Sequence, residues 1–166
     1  MDKLFTLLEL QRRAQDAADR AAFIHVVVNE THKLIPYKQA VFWDADGQPE
    51  AVSGNAALDA RGPYALKIAA QLSPIPDSVT VLMHEGAHTV IIPLRTTRDG
   101  VLGGLWLERD SAFKPAEQEI LQEIAAGYAQ GLALITLRDG RGWAQLPGMM
   151  RRHHKALIVV MLALAL

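Results

Sequence analysis

The chain has 166 residues, of which 50% are hydrophobic and 21% are charged, enough for one globular domain with an ordinary core. Seventeen basic and eighteen acidic residues give a formal net charge of -1, so no overall field attracts nucleic acid and we expect no such partner. The sequence has no cysteine, which excludes disulfides, thiolate metal sites, a cysteine nucleophile and thioether attachment of a chromophore.

The first predicted element is helical and covers residues 2–34. Leucines and then alanines recur there at spacings of three and four, with charged residues between them. Asp16 and Asp19 are of a residue type that caps helices, so the segment is predicted as one helix or as two. The small residues from Ala14 to Ala22 permit close approach of another helix. We therefore expect a homodimer through the terminal helices.

Five strands are predicted after this segment, at residues 39–44, 50–53, 79–83, 89–94 and 101–107. A short helix over residues 64–72 separates the first two from the last three. Asp99-Gly100 is typical of a hairpin turn, and a last helix runs from Pro115 to about residue 137. The order predicts an α+β domain over residues 1–137, with an antiparallel sheet of about five to six strands flanked by N- and C-terminal helices.

The stretch over residues 89–134 resembles the second half of a GAF domain. It has a strand ending in Pro93-Leu94, a turn at Arg98-Asp99-Gly100, a strand containing Gly103-Gly104-Leu105, and a closing helix. The resemblance covers about residues 5–137. It implies a non-catalytic sensory or regulatory domain with a small-molecule ligand of unknown identity.

Four aromatic and imidazole side chains are candidates for a ligand pocket on the sheet face: Trp43, Tyr64, His88 and Trp106. The GAF resemblance suggests this role, and the alternative is that large aromatic residues in strands belong to the core. No cofactor is predicted, because there is no cysteine for bilin attachment and no recognisable cyclic-nucleotide signature. We attribute Gly103-Gly104 to close packing of a helix on the sheet.

The run His84-Glu85-Gly86-Ala87-His88 spells H-E-x-x-H, the signature of zinc hydrolases. That chemistry needs both imidazoles on one helical face. The β-branched residues on both sides favour a hairpin turn or strand connection instead. A zinc hydrolase is therefore the third interpretation, after a ligand-sensing domain and a structural module that only dimerises or docks a partner. No catalytic or metal-binding residue is predicted.

Residues 156–166 are apolar throughout and directly follow Arg151-Arg152-His153-His154-Lys155. A membrane span needs about 20 apolar residues, but the absence of an amphipathic period and the basic flank favour the start of a transmembrane helix over a buried helix. We predict a linker and basic flank over residues 138–155, and a single-pass anchor that holds the domain on the cytoplasmic side of the inner membrane.

The predicted order of a GAF-like domain, a basic flank and a transmembrane helix resembles the front end of some bacterial membrane fusion proteins, the periplasmic adaptors of secretion and efflux systems. The same front end also precedes kinases and cyclases. The larger protein is therefore expected to be an export-system adaptor first, and a signalling enzyme second.

Overall fold

Capping side chains define the first two helices. The computed structural model of the protein describes residues 2–54 and 56–140. Asp2 accepts a hydrogen bond from the Leu4 N–H at the start of α1 (Lys3–Gln15), and Asp19 accepts one from the Ala22 N–H at the start of α2 (Arg20–Asn29). The helical segment predicted as one helix or two is therefore two. A 3₁₀ turn, Thr31–Lys33, follows α2.

The strands form one antiparallel sheet in the order β2-β1-β5-β4-β3. This confirms the α+β prediction with five strands, and α3 interrupts them as expected. The elements after α2 are β1 (Gln39–Asp44), β2 (Pro49–Val52), α3 (Pro63–Gln71), β3 (Thr80–His84), β4 (Ala87–Thr96), β5 (Gly100–Arg109) and α4 (Pro115–Gly140).

Three elements are longer than predicted: β4, β5 and α4. The β4–β5 hairpin is paired from His88 opposite Arg109 to Thr96 opposite Gly100, so both strands extend past the apolar runs that predicted them. Helix α4 is described as far as Gly140, three residues past its predicted end.

One face of the sheet is covered by α1, α2 and α4, and we call it the three-helix face. Alternate strand residues such as Phe42, Ile92 and Leu105 point into its core. The ring of Phe23 meets those of Phe42 and Tyr128 edge to face, at centroid distances of 6.2 and 6.3 Å. This core is the larger of the two that the sheet separates.

The polar groups buried in this core have partners. Thr31 Oγ1 donates to the Val27 carbonyl oxygen at 2.8 Å and shares a 2.7 Å hydrogen bond with the Tyr128 hydroxyl. Burial raises the pKa of Tyr128 above its ordinary value, so its hydroxyl stays protonated.

The start of α4 is joined to the end of β5 by a partly buried ion pair. Arg109 donates to both carboxylate oxygens of Glu117, and its guanidinium lies 4.0 Å from the centre of the Phe113 ring. Glu117 also accepts the Lys114 N–H at 2.8 Å, one turn before it. The hydrogen bonds from Arg109 lower the pKa of Glu117.

The chain divides into two compact units, Met1–Ile135 and Thr136–Leu166. In the second unit the structure describes residues 136–140, which are helical. Most of the predicted linker and basic flank, and all of the predicted membrane segment at residues 156–166, lie outside the described residues. These predictions stay predictions.

Among the described residues, one helix, α4, is long and apolar enough to cross a membrane. Its apolar side chains include Leu121, Ile124 and Leu132, which are buried in the core on the three-helix face. The core helix of a folded domain passes the same test of length and composition, so α4 gives no support for a membrane span.

Candidate functional site

The opposite face of the sheet is covered by α3, and we call it the α3 face. Its core is small. It consists of four strand residues, one residue of α3 and the residue just after α3, all of them nearly inaccessible to solvent: Val41, Trp43, Ile68, Leu72, Ile91 and Trp106. Both indole rings of the sheet therefore lie on this one face. Trp43 and Trp106, two of the predicted pocket residues, are brought together here.

Trp43 lies across the neighbouring strand at Gly104. A Cβ atom at Gly104 would stand 2.0 Å from Cζ2 of Trp43 and 2.5 Å from the Ile92 carbonyl oxygen, so only glycine leaves room for the indole. The attribution of this glycine to helix packing is corrected, since its neighbour is a side chain of the sheet. A Cβ atom at Gly103 would lie 2.7 Å from the Trp43 carbonyl oxygen and 3.6 Å from Leu132 of α4.

A chain of hydrogen bonds joins the sheet to α3 at one end of this face. The Trp106 Nε1–H donates to Glu108 Oε1 at 2.7 Å, and the Tyr64 hydroxyl donates to Glu108 Oε2 at 3.1 Å. Burial, and next the Glu108 carboxylate, raise the pKa of Tyr64 above its ordinary value, so Tyr64 remains a donor. Tyr64, the third predicted pocket residue, therefore lies on the same face as the two tryptophans.

The turn between β3 and β4 contributes a third ring to this end of the face. Glu85 and Gly86 both have positive φ angles, 50° and 84°, as expected of a two-residue hairpin turn. The His84 ring, just before the turn, lies edge to face on Trp106 with centroids 5.2 Å apart. Glu85 forms a salt bridge with Lys67, which connects the turn to α3.

The α3 face also holds buried polar atoms without a hydrogen-bond partner. Among the described residues these are Trp43 Nε1, His84 Nε2 and Thr89 Oγ1. Thr89 belongs to this face because it stands opposite Glu108 and Leu82 and alternates with Ile91. An unpaired buried polar atom costs about 1–3 kcal/mol, and native proteins keep few of them. Their concentration on one face is the most unusual property of this structure.

His88 is the predicted pocket residue that the structure does not bring to this face. It stands opposite Met83 and Arg109, and it alternates with Thr89, so it points to the three-helix face. The prediction is corrected for this residue: His84, four residues earlier, is the histidine that meets Trp106.

The same geometry separates the two histidines of the H-E-x-x-H run. They occupy adjoining strands of a hairpin, with His84 paired to Ala87 and His88 paired to Met83. Because residues directly opposite in a hairpin share a face, the two imidazoles point to opposite sides of the sheet and do not converge on one ion. The hairpin predicted for this run is present. The described residues contain no group of three or more metal-ligating side chains.

A cavity of about 170 Å³ lies between α1 and the end of α2. Arg13 and Lys33 at its wall both donate to the carboxylate of Glu30, which is 8% exposed. Those two cations are therefore already engaged within the protein. The complete lining is Thr6, Glu9, Leu10, Arg13, Glu30 and Lys33.

Sequence reasoning did not identify Glu108, Thr89 or His84 as residues of the ligand pocket, although His84 was considered in the H-E-x-x-H run. Glu108 could have been identified from the sequence. It follows Trp106 by two positions in a strand, so both side chains are on one face. The others depended on the pairing of β3 with β4, which brings residues from separate parts of the sequence together.

No family model matches the chain, and no curated protein does either. Solved structures do match it. The GAF domain of an Acinetobacter phosphoenolpyruvate-protein phosphotransferase aligns with a TM-score of 0.61 at 15% identity, over 85% of this chain and 99% of that one. The GAF domain of a protein named as a sensor histidine kinase from Pseudomonas syringae pv. tomato gives 0.62 at 18% identity, over 84% and 90%.

A third similar structure is the phycoerythrobilin-bound GAF domain of a cyanobacterial phytochrome, with a TM-score of 0.57 at 14% identity, over 83% of this chain and 97% of that one. All three neighbours have the arrangement described above over nearly their whole length. At these identities the likeness concerns the fold, and it agrees with the resemblance drawn from residues 89–134. The chain therefore has the fold of GAF domains.

Proposed function

We propose that this chain is a sensory or regulatory domain that binds a small molecule on the α3 face, in contact with Trp43, Tyr64 and Trp106. The observation that carries the proposal is the set of unpartnered polar atoms buried on that face. A domain that used both faces only for folding would gain stability by replacing them with apolar atoms. A ligand that supplies hydrogen bonds there gives a reason for their presence.

The fold supports this proposal by analogy. Two of the similar structures come from proteins named for sensing, a histidine kinase and a phytochrome, and the latter holds a bilin. This chain has no cysteine to which a chromophore is joined, so the proposed ligand is held without a thioether bond. We further propose that the domain acts without catalysis, since the only catalytic signature in its sequence forms a hairpin.

A thermal-shift screen of the full chain against a metabolite collection tests the proposal. We expect at least one compound to raise the melting temperature, because a ligand that binds only the native state stabilises it. The Tyr64→Phe variant removes one hydroxyl on the α3 face and should weaken that compound's binding. His88→Gln, on the other face, is the matched control and should leave binding unchanged. The proposal is contradicted if no compound raises the melting temperature, or if the Tyr64→Phe variant binds the compound as tightly as the parent.

A second candidate function is dimerisation or docking through α1, favoured by its exposed apolar side chains. Leu4, Phe5 and Leu8 are each more than half exposed on that helix and lie within two turns of one another. If this is the function, light scattering should give a dimer that Phe5→Glu and Leu8→Glu convert to monomer, and the screen above should find no ligand. A monomer at high micromolar concentration contradicts it.

We also propose that residues 156–166 tether the domain to the cytoplasmic side of the inner membrane, as part of a larger protein such as an export-system adaptor. The support is the apolar run and its basic flank. The full chain should float with vesicles of phosphatidylethanolamine and phosphatidylglycerol, and Val159→Asp with Val160→Asp should abolish flotation. Equal flotation of both proteins contradicts the tether.

A further inference from the structure

A row of polar side chains crosses the sheet at one end of the α3 face. Glu108 of β5 stands directly opposite Thr89 of β4, and directly opposite residues on one face have Cβ atoms about 5 Å apart. Trp106 and Tyr64 donate to Glu108 from two sides, and His84 lies against Trp106. These residues come from three strands and α3, so the fold assembles them.

The charge of Glu108 is not balanced within the described part of the chain. Both donors to its carboxylate are neutral, an indole and a phenol, and no lysine or arginine forms a salt bridge with it. By contrast, two other carboxylates that are not exposed, those of Glu30 and Glu117, each pair with arginine. A half-buried carboxylate is stabilised most by a positive charge nearby.

The unpartnered atoms beside Glu108 indicate what kind of group would fit. Thr89 is fully buried, and its Oγ1 has no partner; His84 Nε2 is also buried without one. A hydroxyl oxygen and a neutral imidazole nitrogen both accept hydrogen bonds. Trp43 Nε1, the remaining unpartnered atom, lies over Gly104, four residues away from Glu108 along β5 and about 13 Å distant. It does not belong to this group.

We propose that this end of the α3 face binds the ammonium group of a small amine. Glu108 is its counter-ion, and Thr89 Oγ1 and His84 Nε2 accept its remaining N–H bonds. The inference rests on the proposed ligand-binding function and names the ligand's chemical class. The Trp106 indole forms one wall, a surface that favours cations. An anionic ligand would be repelled by the Glu108 carboxylate. A neutral ligand would leave the negative charge of that carboxylate without a counter-ion.

Access to this site does not require the domain to unfold. Glu108 and Tyr64 are both partly exposed, so the carboxylate is reached from the rim of the sheet, beside the first turn of α3. The Lys67–Glu85 salt bridge that ties α3 to the β3–β4 turn is itself exposed, and exposed pairs contribute little to stability. Breaking this pair as a ligand enters therefore costs little.

The test is a titration of the full chain with propylammonium, followed through the indole N–H resonance of Trp106, with that of Trp43 as the reference. Propanol and propionate, at matched ionic strength, are the neutral and anionic counterparts. Because so small a ligand binds weakly, the titration extends to about 100 mM. We expect a saturable shift of the Trp106 resonance with propylammonium alone.

Variants show whether the named atoms are responsible. Glu108→Gln keeps an acceptor but removes the charge, and it should weaken binding about tenfold or more. Glu119→Gln, an exposed position on α4, is the matched control for charge and should bind like the parent. Thr89→Val should weaken binding about threefold or more while leaving the domain folded, as judged by circular dichroism.

Each contrary result has a distinct meaning. Equal shifts with propanol or propionate, or unchanged binding in Glu108→Gln, overturn the amine site. If propylammonium gives no shift but the metabolite screen finds a neutral or anionic compound that depends on Tyr64, the inference fails while the proposed function stands. If no compound of any class binds this face, both fail.

Discussion

The two faces of the sheet differ in the size of their cores and in whether their buried polar groups have hydrogen-bond partners. On the three-helix face, Thr31, Tyr128 and Arg109 make hydrogen bonds within the protein, and the core is wide. On the α3 face, a smaller core includes both indoles and the three unpartnered polar atoms of the described residues. The first face is organised for stability. The second retains polar groups that lower stability, and the proposed binding function rests on them.

The largest effect should come from the glycine that makes room for Trp43 on the α3 face. Gly104→Ala should lower the free energy of unfolding by about 3 kcal/mol or more, because the added methyl overlaps the indole and the Ile92 backbone. Urea denaturation measures this loss.

Gly127→Ala on α4 is the control. The atoms nearest to its methyl belong to the flexible side chain of Gln11, and alanine favours a helix by about 1 kcal/mol, so a much smaller loss than that of Gly104→Ala is expected. A loss as large as that of Gly104→Ala would show that the tight fit is not peculiar to the α3 face.

A smaller effect is expected where Arg109 and Glu117 join β5 to α4. Glu117→Gln should lower the free energy of unfolding by about 2 kcal/mol at neutral pH, because it leaves the largely buried Arg109 without its counter-ion. Asp110→Asn removes an exposed ion pair with Lys38 and should change stability by about 0.5 kcal/mol or less.

The Glu117 effect should depend on pH in one direction. Its folded-state pKa lies below the ordinary value of 4.5, so its contribution is fully present above that pH and is lost as the pH falls through the folded pKa. Unfolding free energies of the parent and Glu117→Gln should therefore converge in acid. A constant difference down to the acid transition would refute the assignment.

The smallest effects should have opposite signs on the two faces. Tyr128→Phe deletes a satisfied hydroxyl and should cost about 1 kcal/mol, whereas Thr89→Val deletes an unsatisfied one and should stabilise the protein by about 1 kcal/mol. Both are measured by urea denaturation of the full chain. Destabilisation by both substitutions would show that Thr89 Oγ1 contributes to folding, and the contrast between the faces would then be lost.

Most of the fold could be predicted because its signals are local. The β-branched runs, the Asp99-Gly100 turn and Pro115 at the head of α4 each depend on a few neighbouring residues. Three of the four predicted pocket residues lie on one face: Trp43 and Trp106 in strands and Tyr64 in α3, all of them elements that the sequence predicts.

What could not be predicted depends on distant pairing. The length of the turn at Glu85-Gly86 decides whether His84 or His88 meets Trp106, and the sequence permitted either. The partnership of Thr31 with Tyr128 joins residues 97 positions apart. Whether Thr89 Oγ1 has a hydrogen-bond partner depends on the side chains that surround it from other elements. No local sequence pattern therefore predicts that it lacks one.

Alternation along β5 keeps the two cores chemically separate. Leu105 and Leu107 enter one core while Trp106 enters the other, and no side chain is shared between them. Substitutions in groups that do not touch combine almost additively. Substitutions around Trp106 should therefore alter the proposed ligand site without rebuilding the core on the three-helix face.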